Sequence, residues 1–295
     1  MPLEISAKTI LNKKKKPDEW FLDDYTLNPY SGCSFNCLYC YIRGSKYGIH
    51  MEEKLAVKTN AAELLEKQLR NLAKKNKYGV IVLASATDPY LQIEKEMGLT
   101  RRLLEVILKY RFPLHVITKS DLVMRDFDLL HKIDESAILP PNLQGKTKRG
   151  LFITFSFSTL DDKVAKIFEP GATPPSVRLQ ILEQTSTAGF HCGVSMMPVL
   201  PFISDTEEQM DNMLTAFSKA GAKYVFPASL TLFGEGPADS KTLMFRAVEK
   251  HYPDLYERYK KLFPGDFRAA GYYQAELSAK TNRLLKKHGI KNRIV

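Results

Sequence analysis

The 295-residue sequence predicts an α/β protein, a curved and partly closed barrel of about six strand–helix units with a helical C-terminal extension. Three observations carry this. Short β-branched apolar runs alternate with longer amphipathic stretches. The alternation continues to about residue 230 and then stops. From residue 240 onward the pattern is helical throughout. An open, doubly wound sheet is the alternative that the alternation allows.

The first strand is expected near 25–29. Others follow at "YGVIVLAS" (78–85), "PLHVITK" (113–119), "LFITFSFS" (151–158), "HCGVSMMPV" (191–199) and "KYVFPASL" (223–230). Between them the spacing predicts helices over 61–76, 99–110, 125–135, 175–188 and 206–220. The last opens with a capping residue, carries acids in its first turn and stops at Gly221. "TLMFRAVEKHYPDLYERYKKLF" and "YYQAELSAKTNRLLKKHG" form the helical tail. The implied organisation is an N-terminal extension over 1–24, a barrel over 25–235 and a helical extension over 236–295. The connection 136–150, "SAILPPNLQGKTKRG", is long and basic, and such loops are often functional or mobile.

An apolar share of 44% supports a sizeable core, and no apolar run approaches membrane-spanning length. No signal-peptide pattern opens the chain, so a cytoplasmic protein without a membrane partner is expected, as a monomer. Lys and Arg exceed Asp and Glu by 43 − 33 = 10, a balance that favours polyanions such as nucleic acid. "KKKK" at 13–16 reads as a solvated run. Neither a P-loop nor a dinucleotide fingerprint is present, and no histidine pair has zinc-protease spacing.

Three of the four cysteines fall in "GCSFNCLYCY". Cys33, Cys37 and Cys40 are spaced Cys-x3-Cys-x2-Cys, in a stretch where Gly32 and Asn36 favour a loop. A structural zinc site needs four ligands, and only His50 stands nearby as a fourth. Thiolates also hold iron–sulfur cubes. Three of them leave one iron of a four-iron cube without a protein ligand, open for chemistry.

Parallel barrels carry their chemistry at the C-terminal ends of the strands. That rule gathers Thr87 and Asp88, then Thr118, Lys119 and Ser120, then Ser156 and Ser158, then Met197 and Pro198, at one mouth. Arg178, in the first turn of a following helix, faces the same way.

The cysteine spacing with Tyr39 before the last thiol resembles the radical S-adenosylmethionine superfamily. "NPYSGCSFNCLYCYIR", "SATDPYLQIEKEMGLTRRLLE", "ITKSDLVMRD", "SFSTLDDKVAKIFEPGATPPSVRLQILEQTSTAGF" and "MMPVLPFISD" together resemble its branch related to spore photoproduct lyase, often labelled DNA repair photolyase-like. The resemblance covers roughly residues 25–230 and implies a partial (β/α)6 radical SAM barrel. It implies a [4Fe–4S] cluster on Cys33, Cys37 and Cys40, with S-adenosyl-L-methionine chelated at the open iron. It also implies a one-electron reductant such as a ferredoxin or flavodoxin. Reductive cleavage would give methionine and a 5′-deoxyadenosyl radical that takes hydrogen from a substrate, nucleic acid being one class.

By the same resemblance Thr87 and Asp88 meet the methionyl amino group, and Lys119 and Arg178 its carboxylate. Ser156 and Ser158 suit the ribose. Tyr39 and the backbone near Met197 and Pro198 suit the adenine. Glu169 in "EPG" is expected to position Arg178 by an ion pair. Asp88 before a proline also suits turn initiation. Tyr41 suits either a relay role or packing. A protein or small-molecule substrate, or a non-catalytic iron–sulfur or zinc protein that binds nucleic acid, are the competing readings.

One departure matters. Spore photoproduct lyases return hydrogen from a cysteine near the end of the second strand. The matching stretch here is "LASATDPY", with Ser85 and Ala86 and no thiol. Cys192, at the start of the fifth strand, reads as a small buried residue. Too few thiols remain for a second cluster.

Overall fold

The computed structural model describes residues 2–45, 55–265 and 267–295. The chain opens with two three-residue strands, β1 (Leu3–Ile5) and β2 (Leu11–Lys13), which the sequence pattern did not reveal. Then come β3 (Tyr25–Leu27), β4 (Tyr30–Ser31), β5 (Ala56–Lys58), α1 (Ala61–Ala73), β6 (Ile81–Leu83), α2 (Glu94–Met97), α3 (Leu99–Tyr110) and β7 (Leu114–Thr118). A 3₁₀ turn, Asp121–Asp126, leads into α4 (Phe127–Ser136). The sequence continues through β8 (Leu151–Ser156), α5 (Asp162–Phe168), α6 (Pro175–Thr187), β9 (Cys192–Val199), α7 (Glu207–Lys219) and β10 (Val225–Ser229). Three helices finish it, α8 (Ser240–His251), α9 (Tyr256–Leu262) and α10 (Gly271–His288).

The main sheet runs β10-β9-β8-β7-β6-β3-β2, and all its pairs are parallel except β2 with β3. The parallel strands therefore follow chain order without reversal. A doubly wound sheet reverses at a switch point, so that alternative is excluded. β10 and β2 do not pair, and the barrel is open between them. β1, β5 and β4 make a separate small sheet.

Alternation along each strand divides the core. Leu151, Ile153 and Phe155 of β8 pack with the helices in the larger cluster. Phe152, between them, joins Tyr224, Phe226 and Ile294 in a second cluster, with Trp20, Phe21, Met197 and Val295 against it. The chain's last residues and the segment before β3 thus fill the inside of the half-barrel. On the helix side, Leu99, Leu103, Leu104 and Ile107 of α3 form the buried stripe that their spacing predicts. α7 is entered through a complete capping box, Thr206 with Gln209.

The basic connection 136–150 links α4 to β8 and so lies at the N-terminal ends of the strands, away from the mouth. Asp134 fastens it, accepting from Gly150 N at 2.8 Å and pairing with Arg149 at 2.8 Å.

Inside the barrel a polar chain crosses three strands. His115 Nδ1 lies 2.8 Å from Phe21 O, and its Nε2 lies 2.6 Å from Thr154 Oγ1. A carbonyl only accepts, so Nδ1 carries the proton and Nε2 accepts from the Thr154 hydroxyl. Thr154 in turn accepts from Tyr224 OH at 2.8 Å. Burial pushes the His115 imidazole down to about 4, against the hydrogen bond it donates to Phe21 O, which acts the other way. Its depressed folded value places this stability above the unfolded value of 6.5, and it is lost as pH falls towards 4. The apoprotein should lose about 3 kcal/mol over that window, from the cost of about 1.4 kcal/mol per pH unit. Denaturation midpoints measured against pH should show a flatter slope for His115→Gln; an unchanged slope refutes the assignment.

Gly193 admits β10 closely. A Cβ there would sit 2.5 Å from Tyr224 O and from its ring. Gly193→Ala should destabilise by about 1–3 kcal/mol, the usual range for overpacking. Chemical denaturation checks this, and a wild-type midpoint would contradict it.

Candidate active site at the barrel mouth

The cysteine loop leaves β4 through Gly32 at φ +79° and turns again at Asn36, φ +52°. Both take the left-handed conformation that glycine and asparagine tolerate best. The segment after α5 grips the loop: Leu38 N donates to Phe168 O at 2.9 Å, and Gly171 N to Phe35 O at 3.0 Å. A Cβ on Gly171 would meet Phe35 Cα at 3.0 Å, so only glycine allows this approach.

Beneath the loop lies a buried carboxylate. Glu169 Oε1 accepts from Tyr39 OH and, at 2.6 Å, from Ser158 Oγ. Its Oε2 pairs with Arg178 Nη2 at 2.5 Å, and both side chains are 0% exposed. Arg178 Nη1 donates to Ser156 O. Burial alone would raise the Glu169 carboxyl. The Arg178 and Lys119 charges and the two hydroxyls outweigh it and hold the group below its ordinary range.

A second arrangement of the same chemistry holds the loop's other end. Tyr30 OH, just ahead of the cysteines, donates to Glu94 Oε2. Arg125 Nη2 pairs with Glu94 Oε1 at 2.8 Å and with Asp126 at 2.8 Å. The Thr100 amide donates to Glu94 at 2.9 Å. These residues were not singled out from sequence. Partners 64 and 31 positions away from Glu94 leave no local signal.

The expected site residues converge on the mouth, but several have other commitments. Asp88 accepts from Tyr90 N at 2.9 Å, Thr118 Oγ1 at 2.8 Å and Lys119 N at 2.8 Å. It makes the turn and ties the end of β6 to the end of β7. Burial raises its carboxyl despite these three bonds. Thr87 Oγ1 is buried with no partner among the described residues. Lys119 holds its ammonium 5.9 Å from the centre of the Tyr39 ring, with no carboxylate paired to it among the described residues.

Four of the expected ligand residues already have partners within the protein. Arg178, expected beside a carboxylate ligand, is held by Glu169 and Ser156, and only its buried Nε lacks a partner. Tyr39, expected as an adenine platform, is 6% exposed and bonded to Glu169. Ser158, expected at the ribose, already donates to Glu169, and β8 has ended at Ser156. Met197 packs its side chain against the inner cluster, beside Pro198 at the end of β9.

Tyr41 reaches across the mouth and donates to Ser85 O. Asn28 receives the Ala86 amide at 2.9 Å, so this stretch after β6 is fixed from two sides. Cys192 lies in the helix-side core, 0% exposed, with Sγ 3.9 Å from Leu182 O.

The three motif thiols are partly exposed and within electrostatic reach of one another. Burial, joined by Asp88, pushes the Cys33 thiol up to about 12. Burial also raises Cys37, against the pull of Lys119. Thiols so protected from ionisation need a cation to deprotonate them, as metal binding does. Among the described residues no three His, Cys, Asp or Glu side chains converge on a single metal ion. A zinc site requires that convergence. A cube does not, because its thiolates bind different irons. The donor set and the unpartnered Thr87 Oγ1 and Arg178 Nε above it fit a cube with a polar ligand. His50 lies outside the described residues.

The family model of the radical SAM superfamily matches residues 27–214, and the chain belongs to that superfamily. Its members are enzymes, and membership supports S-adenosylmethionine cleavage chemistry and implies the cluster that serves it. An uncharacterised protein of Mycobacterium tuberculosis is 30% identical over 268 residues, 88% of this chain and 73% of that one. Spore photoproduct lyase of Bacillus subtilis is 26% identical over 195 residues, 65% of this chain and 49% of that one. A solved spore photoproduct lyase variant superposes with TM-score 0.64 at 17% identity, covering 97% of this chain and 78% of its own. Another, with TM-score 0.60 and 16% identity over 94% and 78%, has bound AdoMet and dinucleoside spore photoproduct. The fold is thus that of spore photoproduct lyase. Among the described residues no helix is long and apolar enough to cross a membrane.

Removing Glu169 would leave the Arg178 guanidinium buried without a counter-charge. Glu169→Ala should cost the apoprotein about 3–5 kcal/mol, the usual penalty for breaking a buried pair. Guanidinium titration checks this. A loss under about 1 kcal/mol, the worth of an exposed pair, would mean that the pair is not buried in solution.

Proposed function

We propose that the protein binds a [4Fe–4S] cluster through Cys33, Cys37 and Cys40 and uses it to cleave S-adenosyl-L-methionine, for hydrogen abstraction from a nucleic acid or nucleotide-like substrate. The observation that carries this is the position of three thiols in a loop clamped at the mouth of a radical SAM barrel. When bound, the cofactor pair supplies an electron and a 5′-deoxyadenosyl radical. A one-electron reductant such as a ferredoxin or flavodoxin completes the scheme.

The chain's own groups then have distinct tasks. Lys119, whose ammonium has no carboxylate partner among the described residues, receives the carboxylate of the methionyl part. Thr87 Oγ1 meets its amino group, with Asp88 fixing the turn that presents the threonine. Ser156 stays available to the ribose, and the backbone at Met197 and Pro198 to the adenine. Glu169 and Arg178 act through Tyr39, holding the loop in register. The nucleic-acid reading is supported by the excess of 10 positive charges and by the kinship with spore photoproduct lyase. No thiol besides the motif cysteines stands at the mouth, so hydrogen return by a spare cysteine is not proposed.

Anaerobic reconstitution of wild type should give a brown protein that forms 5′-deoxyadenosine with dithionite. Cys33→Ala, Cys37→Ala and Cys40→Ala should each lose the chromophore or hold a defective cluster. Cleavage by wild type no greater than by Cys40→Ala would remove the reading. Lys119→Ala should weaken S-adenosylmethionine binding by about 1.5–3 kcal/mol, typical of a hydrogen bond to a charged group. Equal affinity, measured by equilibrium dialysis, would place the carboxylate elsewhere.

A further inference from the structure

Beyond the ends of β9 and β10, on the open flank of the mouth, two phenylalanines each carry an arginine. Arg258 Cζ sits 3.8 Å from the centre of the Phe202 ring. Arg268 Cζ sits 4.9 Å from the centre of the Phe267 ring. Phe267 also stacks on Phe233, with centroids 4.8 Å apart and planes at 15°. Its backbone extends the sheet edge, where Leu232 N donates to Phe267 O at 2.8 Å. Next to this group, Tyr272 in the first turn of α10 is 68% exposed and Phe267 is 37% exposed.

Among the described residues, carboxylates near this rim are paired with lysines. Glu235, Glu257 and Glu276 each face their own lysine, at 3.2, 3.0 and 4.0 Å. Neither Arg258 nor Arg268 has a carboxylate partner among the described residues. Guanidinium planes laid on aromatic faces leave their N–H edges free for an oxyanion.

The rim is also held in place at a cost. Phe202 sits at φ +62°, a conformation rare for a bulky residue. Asp205 enforces it, accepting from Phe202 N at 2.7 Å with one oxygen and from Tyr273 OH at 2.7 Å with the other. The strain keeps the Phe202 ring against α10 and under Arg258.

We propose that this rim holds a single-stranded nucleic acid, with a base stacked on the exposed ring of Tyr272 and phosphates against Arg258 and Arg268. The proposal rests on the nucleic-acid reading above and adds where the strand lies. An exposed ring beside guanidiniums that have no carboxylate partner among the described residues matches the alternation of base and phosphate along a strand. An unpaired strand can also turn a base into the neighbouring mouth without the cost of opening a duplex. An acidic peptide would satisfy the arginines but leave Tyr272 without a stacking partner.

Fluorescence anisotropy of the reconstituted full chain with labelled single-stranded DNA and RNA, across a salt series, tests this. Single strands should bind, with log affinity falling linearly against log salt. Tyr272→Ala should weaken binding about tenfold, as loss of one stacked base does. Arg268→Ala should lower the salt slope by about 1. Thermal unfolding of each variant confirms that it is folded. Wild-type affinity and slope in both variants, or equal competition by poly-glutamate, would overturn the proposal. Formation of 5′-deoxyadenosine by the same wild-type preparation separates the two readings. Strand binding without cleavage supports the rim and removes the catalytic reading. Cleavage without strand binding overturns the rim alone.

Discussion

A single buried carboxylate, Glu169, determines how the cysteine loop sits. The loop has no secondary structure of its own to fix it, and its shape depends on what it touches. Glu169 ties Tyr39, between the second and third thiols, to Ser158 beyond β8 and Arg178 on α6. A pair with both members at 0% exposure is not a cheap source of stability, because desolvation offsets most of the attraction. Its consequence is geometric. Each oxygen of Glu169 has defined donors, and the ring of Tyr39 cannot move without giving up its bond to Oε1.

Glu94 repeats the device on the other side, between Tyr30 and Arg125. The loop is therefore held at both ends by a tyrosine hydroxyl on a buried glutamate that an arginine neutralises. The two clamps differ in exposure: Arg178 is wholly enclosed, whereas the Arg125 side chain is 27% exposed. Between them they join the segments after β3, β6, β7 and β8. The thiols are thus positioned by the whole crescent of strand ends and not by one neighbour.

The regular elements were legible because their signal is local. Strands at 114–118, 151–156 and 192–199 and helices at 99–110, 175–187 and 207–219 fall within the spans that periodicity indicates. β1, β2 and β4 were not legible, because two or three residues are too few to show alternation. α5 was missed although Asp161 caps it, accepting from Lys163 N and Val164 N. The site divides in the same way. Cys33, Cys37 and Cys40 are close in sequence and could be read directly. The Glu169 and Arg178 pairing, nine positions apart across three prolines and a glycine, was also legible. The bond from Tyr39 to Glu169 spans 130 positions, and nothing in the sequence marks either residue as the other's partner. For that reason the bonds from Tyr39 and Ser158 to Glu169 could not be read beside the ligand roles expected of them.

The C-terminal segment serves both ends of the barrel. Its last residues enter from below, where Lys291 O accepts from Val225 N and Ile294 joins the inner cluster. With Trp20 and Phe21 they close the N-terminal end to water. Near the mouth the same segment lies along the β10 edge through Phe267, and α10 docks on α7 by way of Asp205, Asp211 and Glu207. An open half-barrel leaves an exposed strand edge, which proteins cover or interrupt. Here Pro227 interrupts β10 while residues 268 and 291 bridge it on either side. The tail thereby leaves one polar opening, at the C-terminal ends of the strands, and it contributes the wall of that opening opposite the cysteine loop's own end of the sheet.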